Sequence, residues 1–310
     1  MRSYRSGAAR AAYPAVAFLA ATGAIVSAAC AILLFASAGA RAEEPATLHV
    51  FHVAEAGLSV PESVLRDPEA DVYLVSNING APDARDGNGF VSRLSPDGKV
   101  LALKWIEGGA GTTLLDAPKG MAIAGGELYV SDITNVRVFD RKSGAPIASI
   151  PIPGAVFLND VCACGDGSVY VTDWKNPAVY RILPDRSFRA IAAGEALGNP
   201  NGIACDGNDL FVADTGGKRL YSIDKGGKPV RERPTPVGGL DGLVRLADGS
   251  FLVSSWDASA VYRLAADGKA EVVASGIQSP ADIGFDEKRG LLLVPVFLGD
   301  EVLAIRLGKP

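Results

Sequence analysis

Short apolar runs, bounded by polar and turn-forming residues, recur along most of the chain. Beyond residue 42 no stretch keeps a helical period over ten residues. Segments such as Ala178-Val-Tyr-Arg-Ile182 and Ala260-Val-Tyr-Arg-Leu264 alternate with a period of two, the pattern of a strand with one covered face. Asp-Gly pairs at 97–98, 166–167, 248–249 and 267–268 punctuate the runs as hairpin turns, where glycine supplies the positive φ. One stretch, Asn199 to Asp214, holds the whole template. A turn carrying a polar side chain opens it, an apolar strand follows, then an Asp-Gly turn, then a second apolar strand ending in Val212-Ala213-Asp214. The same beat returns as Val130-Ser-Asp132, Val171-Thr-Asp173, Val253-Ser-Ser255 and Val294-Pro-Val296. These five valines are 41 positions apart, and a sixth copy, Val75-Ser-Asn77, precedes them by 55. A repeat of about 40 residues made of short strands predicts propeller blades, and six copies predict an all-β, six-bladed β-propeller.

Blade one is expected from Pro61, with strands at Val72–Ser76, Phe90–Leu94 and Val100–Leu103. The later blades open at Pro118, Val156, Asn199, Gly239 and Ser279, each with an apolar pair of strands and a third, alternating one. Leu48 to Val53 precedes the first repeat and is expected to join the last blade, closing the ring and removing its open edges. His49 and His52, the two histidines of the chain, lie in that strand, which leaves no Ser-His-Asp or Cys-His arrangement. Asn79 to Gly89 lengthens blade one with a polar, glycine-rich loop that could cover one face; its Asp83, Asp86 and Asn88 lack the closing Glu of a helix-loop-helix calcium site. Gly108 to Leu115 has no Lys-Ser/Thr ending and is not a phosphate loop.

Composition changes the picture at the N-terminus. Residues 1–42 carry Arg2, Arg5 and Arg10, an alanine-rich apolar run, and Ala40-Arg-Ala42, and read as a secretory signal peptide, with an uncleaved membrane anchor as the alternative. The single propeller domain is then 43–310. Losing the four arginines of the leader takes the net charge from −5 to −9. A periplasmic or secreted acidic domain is a poor partner for nucleic acid or an anionic membrane, and a monomer acting on a small molecule is expected. Cys162, Cys164 and Cys205 remain, an odd number that allows one disulfide and one free thiol. Cys205 sits on the strand of the next blade that matches Cys162 and Cys164, so a cross-blade disulfide is conceivable; three small buried apolar residues is the other reading.

The candidate chemistry comes from the repeat register. The position 11 to 13 residues ahead of each valine holds Glu62, Lys119, Asn159, Asn201, Asp241 and Ala281. Equivalent starts of the innermost strands converge on the axis of a propeller. Glu62, Asn159, Asn201 and Asp241 are oxygen donors, two carboxylates and two amides, and suit a hard divalent cation: Ca²⁺ first, with Zn²⁺ or Mg²⁺ as alternatives. Asn-Gly and Asp-Gly are also ordinary turn dipeptides, but Glu62 is no turn former. Lys119 points a positive charge at the same face, or snorkels in the channel. Trp174 and Trp256 follow the beat and read chiefly as packing between blades, with Trp256 and Phe297 also candidates to line the face.

Glu62 in Pro-Glu-Ser-Val, Asn159 in Asn-Asp, Asn201 in Pro-Asn-Gly and Asp241 in Asp-Gly, taken in order, resemble the metal-binding set of the senescence-marker-protein/gluconolactonase/luciferin-regenerating-enzyme family, over about residues 48 to 307. The resemblance implies a six-bladed propeller with one divalent ion and hydrolysis of lactones or esters, Asp241 acting as base and Glu62 mainly as ligand. It also implies an arginine gripping sugar acids at the position held here by Phe157, and a tryptophan near Leu65 that is absent. These departures point to a more apolar or anionic substrate. A non-catalytic binding or scaffold propeller, with a structural ion or none, is the alternative; a strictosidine-synthase-like relative without metal is a third.

Overall fold

The computed structural model of the chain describes residues 49–207, 209–224 and 227–307. The expected signal peptide at 1–42 lies outside the described residues. The strands form six four-stranded antiparallel sheets. Strand β1 is His49–Val53. Blade one is β2 (Pro61–Asp67), β3 (Val72–Asn77), β4 (Phe90–Leu94) and β5 (Val100–Glu107). Blade two is β6 (Pro118–Ala124), β7 (Glu127–Asp132), β8 (Asn135–Asp140) and β9 (Pro146–Pro151). Blade three is β10 (Leu158–Ala163), β11 (Val169–Asp173), β12 (Ala178–Ile182) and β13 (Phe188–Ala193). Blade four is β14 (Pro200–Asp206), β15 (Asp209–Asp214), β16 (Arg219–Ile223) and β17 (Pro229–Pro234). Blade five is β18 (Leu240–Arg245), β19 (Phe251–Ser255), β20 (Ala260–Leu264) and β21 (Ala270–Ser275). Blade six is β22 (Gly284–Asp286), β23 (Leu291–Val296) and β24 (Glu301–Arg306), and its fourth strand is β1. The N-terminal strand pairs antiparallel with β24, Val53 opposite Val302, and closes the ring as the sequence predicts. His52 Nε2 sits 2.9 Å from Glu301 in that closure, away from the axis chemistry.

The beat explains the packing. Val75, Val130, Val171, Val212, Val253 and Val294 each sit mid-blade on the second strand and are fully buried. Six apolar clusters each span one junction between neighbouring blades. One joins Leu74 and Val91 of blade one to Leu128 and Val130 of blade two; another joins Tyr73 and Val75 to Leu293 and Val302 across the closure. The outermost strands β9, β13, β17 and β21 are largely exposed. Their weak apolar pattern is why the sequence resolves only three strands in the later blades. The disulfide is Cys164–Cys205, with Cα atoms 5.6 Å apart, tying the residue that follows β10 to β14; Cys162 is free.

One expectation is corrected. Asn201-Gly202 and Asp241-Gly242 are not turns; they lie within β14 and β18. Each innermost strand from β2 to β18 shifts register against its neighbour at one place: between Pro61 and Val64, Pro118 and Met121, Leu158 and Val161, Pro200 and Ile203, and Leu240 and Leu243. Such bulges turn a side chain out of the regular alternation. The glycine that follows is required by crowding at the hub rather than by φ. A Cβ on Gly202 would stand 2.3 Å from the Asp241 carbonyl oxygen, and one on Gly242 2.3 Å from the Ile283 nitrogen.

Candidate metal centre and substrate cavity

The five bulges carry Glu62, Lys119, Asn159, Asn201 and Asp241, and all five line one cavity of about 470 Å³ at the hub. The sixth position, Ala281, is fully buried and outside that lining. The rest of the beat holds this ring in place. Its small hydroxyl residues donate across the blade junctions to the backbone of the hub: Ser131 to the Asn159 carbonyl, Thr172 to the Asn201 carbonyl at 2.8 Å, and Ser254 to the Ala281 carbonyl at 2.7 Å. Its acids accept backbone N–H groups just ahead of the innermost strands. Asp132 takes Ala117 at 2.8 Å, Asp173 takes Phe157 at 3.0 Å, and Asp214 takes Asn199 at 2.9 Å. A polar side chain that satisfies buried backbone groups on both sides fixes where the bulge begins.

Glu62, Asn159, Asn201 and Asp241 are all buried, and each has one buried oxygen without a hydrogen-bond partner: Glu62 Oε2 and the Oδ1 atoms of Asn159, Asn201 and Asp241. Leaving one such atom unpaired is destabilising by about 1–3 kcal/mol. Four of them lining one cavity make a donor set of the kind that hard cations take. Two of the donors are amides; among the described residues no group of three or more His, Cys, Asp or Glu could hold a metal ion. The residues present therefore fit a divalent cation held by two carboxylates and two amide oxygens.

Burial and crowding set the protonation of this ring. Burial pushes the Asp241 carboxyl up to about 7, helped by the charge of Asp282, while hydrogen bonds from Trp256 and Asn201 hold it back. Trp256 Nε1 donates to Asp241 Oδ2 at 2.7 Å, which leaves Oδ1 free. Burial also raises Glu62 well above the usual carboxylate range, as do Asp241 and Asp282, and Lys119 opposes the shift. Lys119, 1 % exposed, is pushed down to about 8 by its burial, with Glu62 opposing. Its Nζ donates to the Ala117 carbonyl at 2.9 Å and sits 4.4 Å from the Phe157 ring centre.

Beneath the ring lies a second acidic layer that the sequence reading missed. Ser63 Oγ donates to Asp282 Oδ2 at 2.5 Å, and the Ile203 N–H donates to Asp160 Oδ2 at 2.7 Å. Both carboxyls are raised by burial, Asp160 to about 7. Asp160 follows Asn159 in the repeat, and that adjacency was the available signal.

The cavity wall is aromatic. Phe157 packs on Trp174 with ring centres 5.7 Å apart, and Trp256 on Phe297 at 5.2 Å. All four line the cavity, so Trp174 and Trp256, read chiefly as packing, belong to the wall. The loop expected as a cover reaches the mouth: Pro82 lines the cavity, Asp83 pairs with Lys175 at 3.1 Å, and Arg85 donates to Thr134 Oγ1 at 2.9 Å.

Among solved structures, a gluconolactonase from Xanthomonas campestris superposes with a TM-score of 0.62 at 19% identity, covering 84% of this chain and 89% of its own. Virginiamycin B lyase from Staphylococcus aureus gives 0.62 at 14%, covering 83% and 99%, and a chain of a nidogen/laminin complex gives 0.57 at 18%, covering 69% and 80%. At such identities the likeness is one of fold. No curated protein sequence matches the chain. Residues 96–294 match the SMP-30/Gluconolactonase/LRE-like region, most of the propeller including three of the four oxygen donors, and the chain belongs to that family.

Proposed function

We propose that this chain is a divalent-cation-dependent hydrolase of lactone or ester substrates, with Ca²⁺ as its ion and Glu62, Asn159, Asn201 and Asp241 as its ligands. The observation that carries the reading is the set of four unpartnered buried oxygens lining one cavity, in a family that includes gluconolactonases. A bound divalent cation supplies a Lewis acid that polarises the substrate carbonyl. The residues of the chain supply the rest. Asp241, a ligand held at Oδ2 by Trp256, is the carboxylate placed to accept the proton of the attacking water. The water oxygen bonds to the carbonyl carbon, the ring C–O bond breaks, and the proton passes back to the leaving alkoxide. Glu62 contributes its charge as ligand. Phe157, Trp174, Trp256 and Phe297 exclude bulk water and offer an apolar face to the substrate.

The disulfide supports a periplasmic or secreted protein, since such bonds persist in oxidising compartments. We take the protein to act as a monomer on a small molecule, without nucleic acid or membrane. A second reading makes the ion structural, because the four donors come from blades one, three, four and five and an ion would lace them together. Titration calorimetry with Ca²⁺, Zn²⁺ and Mg²⁺, followed by a panel of lactones and aryl esters, separates the two. Turnover that needs the cation and disappears in Asp241→Ala supports the hydrolase. A cation-dependent melting temperature with no turnover across the panel supports the structural ion.

A further inference from the structure

The mouth of the cavity holds an arrangement that lactone hydrolysis as such does not require. Lys119 from β6 and Lys175 from the loop after β11 both approach the ring of Phe157, their Nζ atoms 4.4 and 4.7 Å from its centre. Lys119 is buried with a backbone carbonyl as its hydrogen-bond partner. Trp174, packed at a tilt against the same ring, keeps its buried Nε1 donor unpartnered. Three donors thus surround one aromatic platform. Lys175 is the accessible one, and it is paired with Asp83.

Asp83 sits at the tip of a closed loop. Asn79 Nδ2 donates to the Asn88 carbonyl at 2.9 Å across the neck, and the Gly87 N–H donates to Asp116 Oδ1 at 3.0 Å. The tip beyond the neck is fastened by two exposed contacts, Asp83 to Lys175 and Arg85 to Thr134. A compact loop with a fixed neck and lightly held tip can swing without unfolding. The charges point the same way. Glu62, Asp241 and Asp257 line the cavity against Lys119 and Lys175. A divalent cation turns the sum over that lining from −1 to +1, with Asp160 and Asp282 in the layer beneath it.

We propose that Lys175 and Lys119, on the platform of Phe157 with the Trp174 donor, form a subsite for a carboxylate or similar anionic group on the substrate, and that Asp83 occupies Lys175 until that group displaces it. For the reaction this rests on the hydrolase reading above, and it narrows the substrate class to lactones or esters bearing an anionic substituent next to an apolar body. Charge-assisted hydrogen bonds to two ammonium groups give the anion its hold, and the aromatic wall covers the remainder.

The test is binding, with probes that cannot be hydrolysed. The Ca²⁺-loaded protein is titrated with cyclopentanecarboxylate and with cyclopentanecarboxamide, by calorimetry and by the fluorescence of Trp174 and Trp256. The wild type is expected to favour the carboxylate by about tenfold, the effect of one good charged contact. Lys175→Met is expected to erase the preference while leaving amide binding in place. Asp83→Asn is expected to tighten carboxylate binding several-fold with amide binding unchanged, because the internal competitor is gone; a merely structural latch would weaken both. Equal binding of the two probes by the wild type, or weaker carboxylate binding in Asp83→Asn, overturns the proposal. A carboxylate preference without turnover of any lactone sinks the hydrolase reading and leaves the subsite; turnover without the preference does the reverse.

Discussion

Asp241→Asn is the most informative single change, because it removes a buried charge while keeping the shape and an acceptor for Trp256. In the metal-free protein the carboxyl is raised from 3.8 to about 7, chiefly by burial. About three units correspond to a ceiling of about 4 kcal/mol once the group is ionised. The sign follows from proton counting. Between about pH 4 and 7 the unfolded chain has released the proton that the folded one still holds, so Asp241 lowers stability progressively as pH rises through that window. In EDTA at pH 8, Asp241→Asn should therefore melt above the wild type, by roughly 5–10 °C for a domain of this size. The gap should close below about pH 4, where the carboxyl is neutral in both states. Calcium at a hundred times its Kd should add about 2.7 kcal/mol to the wild type and little to the variant, which lacks one of the two ligand charges. Scanning calorimetry in EDTA and in CaCl₂, from pH 4 to 8, reads all of this. If the variant melts below the wild type in EDTA at pH 8, or both proteins gain equally from calcium, the idea of a charged hub awaiting a cation is wrong.

Three further outcomes are expected. Gly202→Ala places a methyl 2.3 Å from the Asp241 carbonyl oxygen, so stability should fall by about 1–3 kcal/mol and calcium affinity with it; a variant that melts and binds like the wild type would show that the hub tolerates a side chain there. Replacing Cys164 and Cys205 by serine removes a link between positions 41 apart, and urea unfolding should lose about 2–4 kcal/mol; unchanged midpoints would mean the closure carries no weight. Beginning the chain at residue 54 strips β1 from β24 and opens an edge, so light scattering should find association and a lowered melting temperature, whereas an unchanged monomer would count against closure by this strand.

Much of the fold was legible in the chain because a propeller repeats one local rule. The valine beat, 41 residues long in all blades but the first, marks the buried centre of each second strand. The third strands, read as covered on one face, are buried on both, Ala178–Ile182 at four of its five residues, because a neighbouring blade packs on each side. The outer strands were harder to read: with most of their side chains exposed, segments such as Phe188–Ala193 carry little apolar signal. Asn201-Gly202 and Asp241-Gly242 were misread as turns for a similar reason. Their composition is that of a turn, and only the neighbouring blade, pressing on the missing Cβ, reveals bulged strands.

Residue types and spacing alone determined the blade count, the ring closure and the candidate set Glu62, Asn159, Asn201 and Asp241, because those features follow from periodicity along one chain. Tertiary structure decided what periodicity cannot carry. It opened the cavity, left four oxygens there without partners, set Trp256 on Asp241, and brought Asp83 across 92 positions to Lys175. Those relations depend on the angle between blades and on desolvation at the hub. Both arise only when six similar sheets pack round a common axis and bury the side chains that meet there.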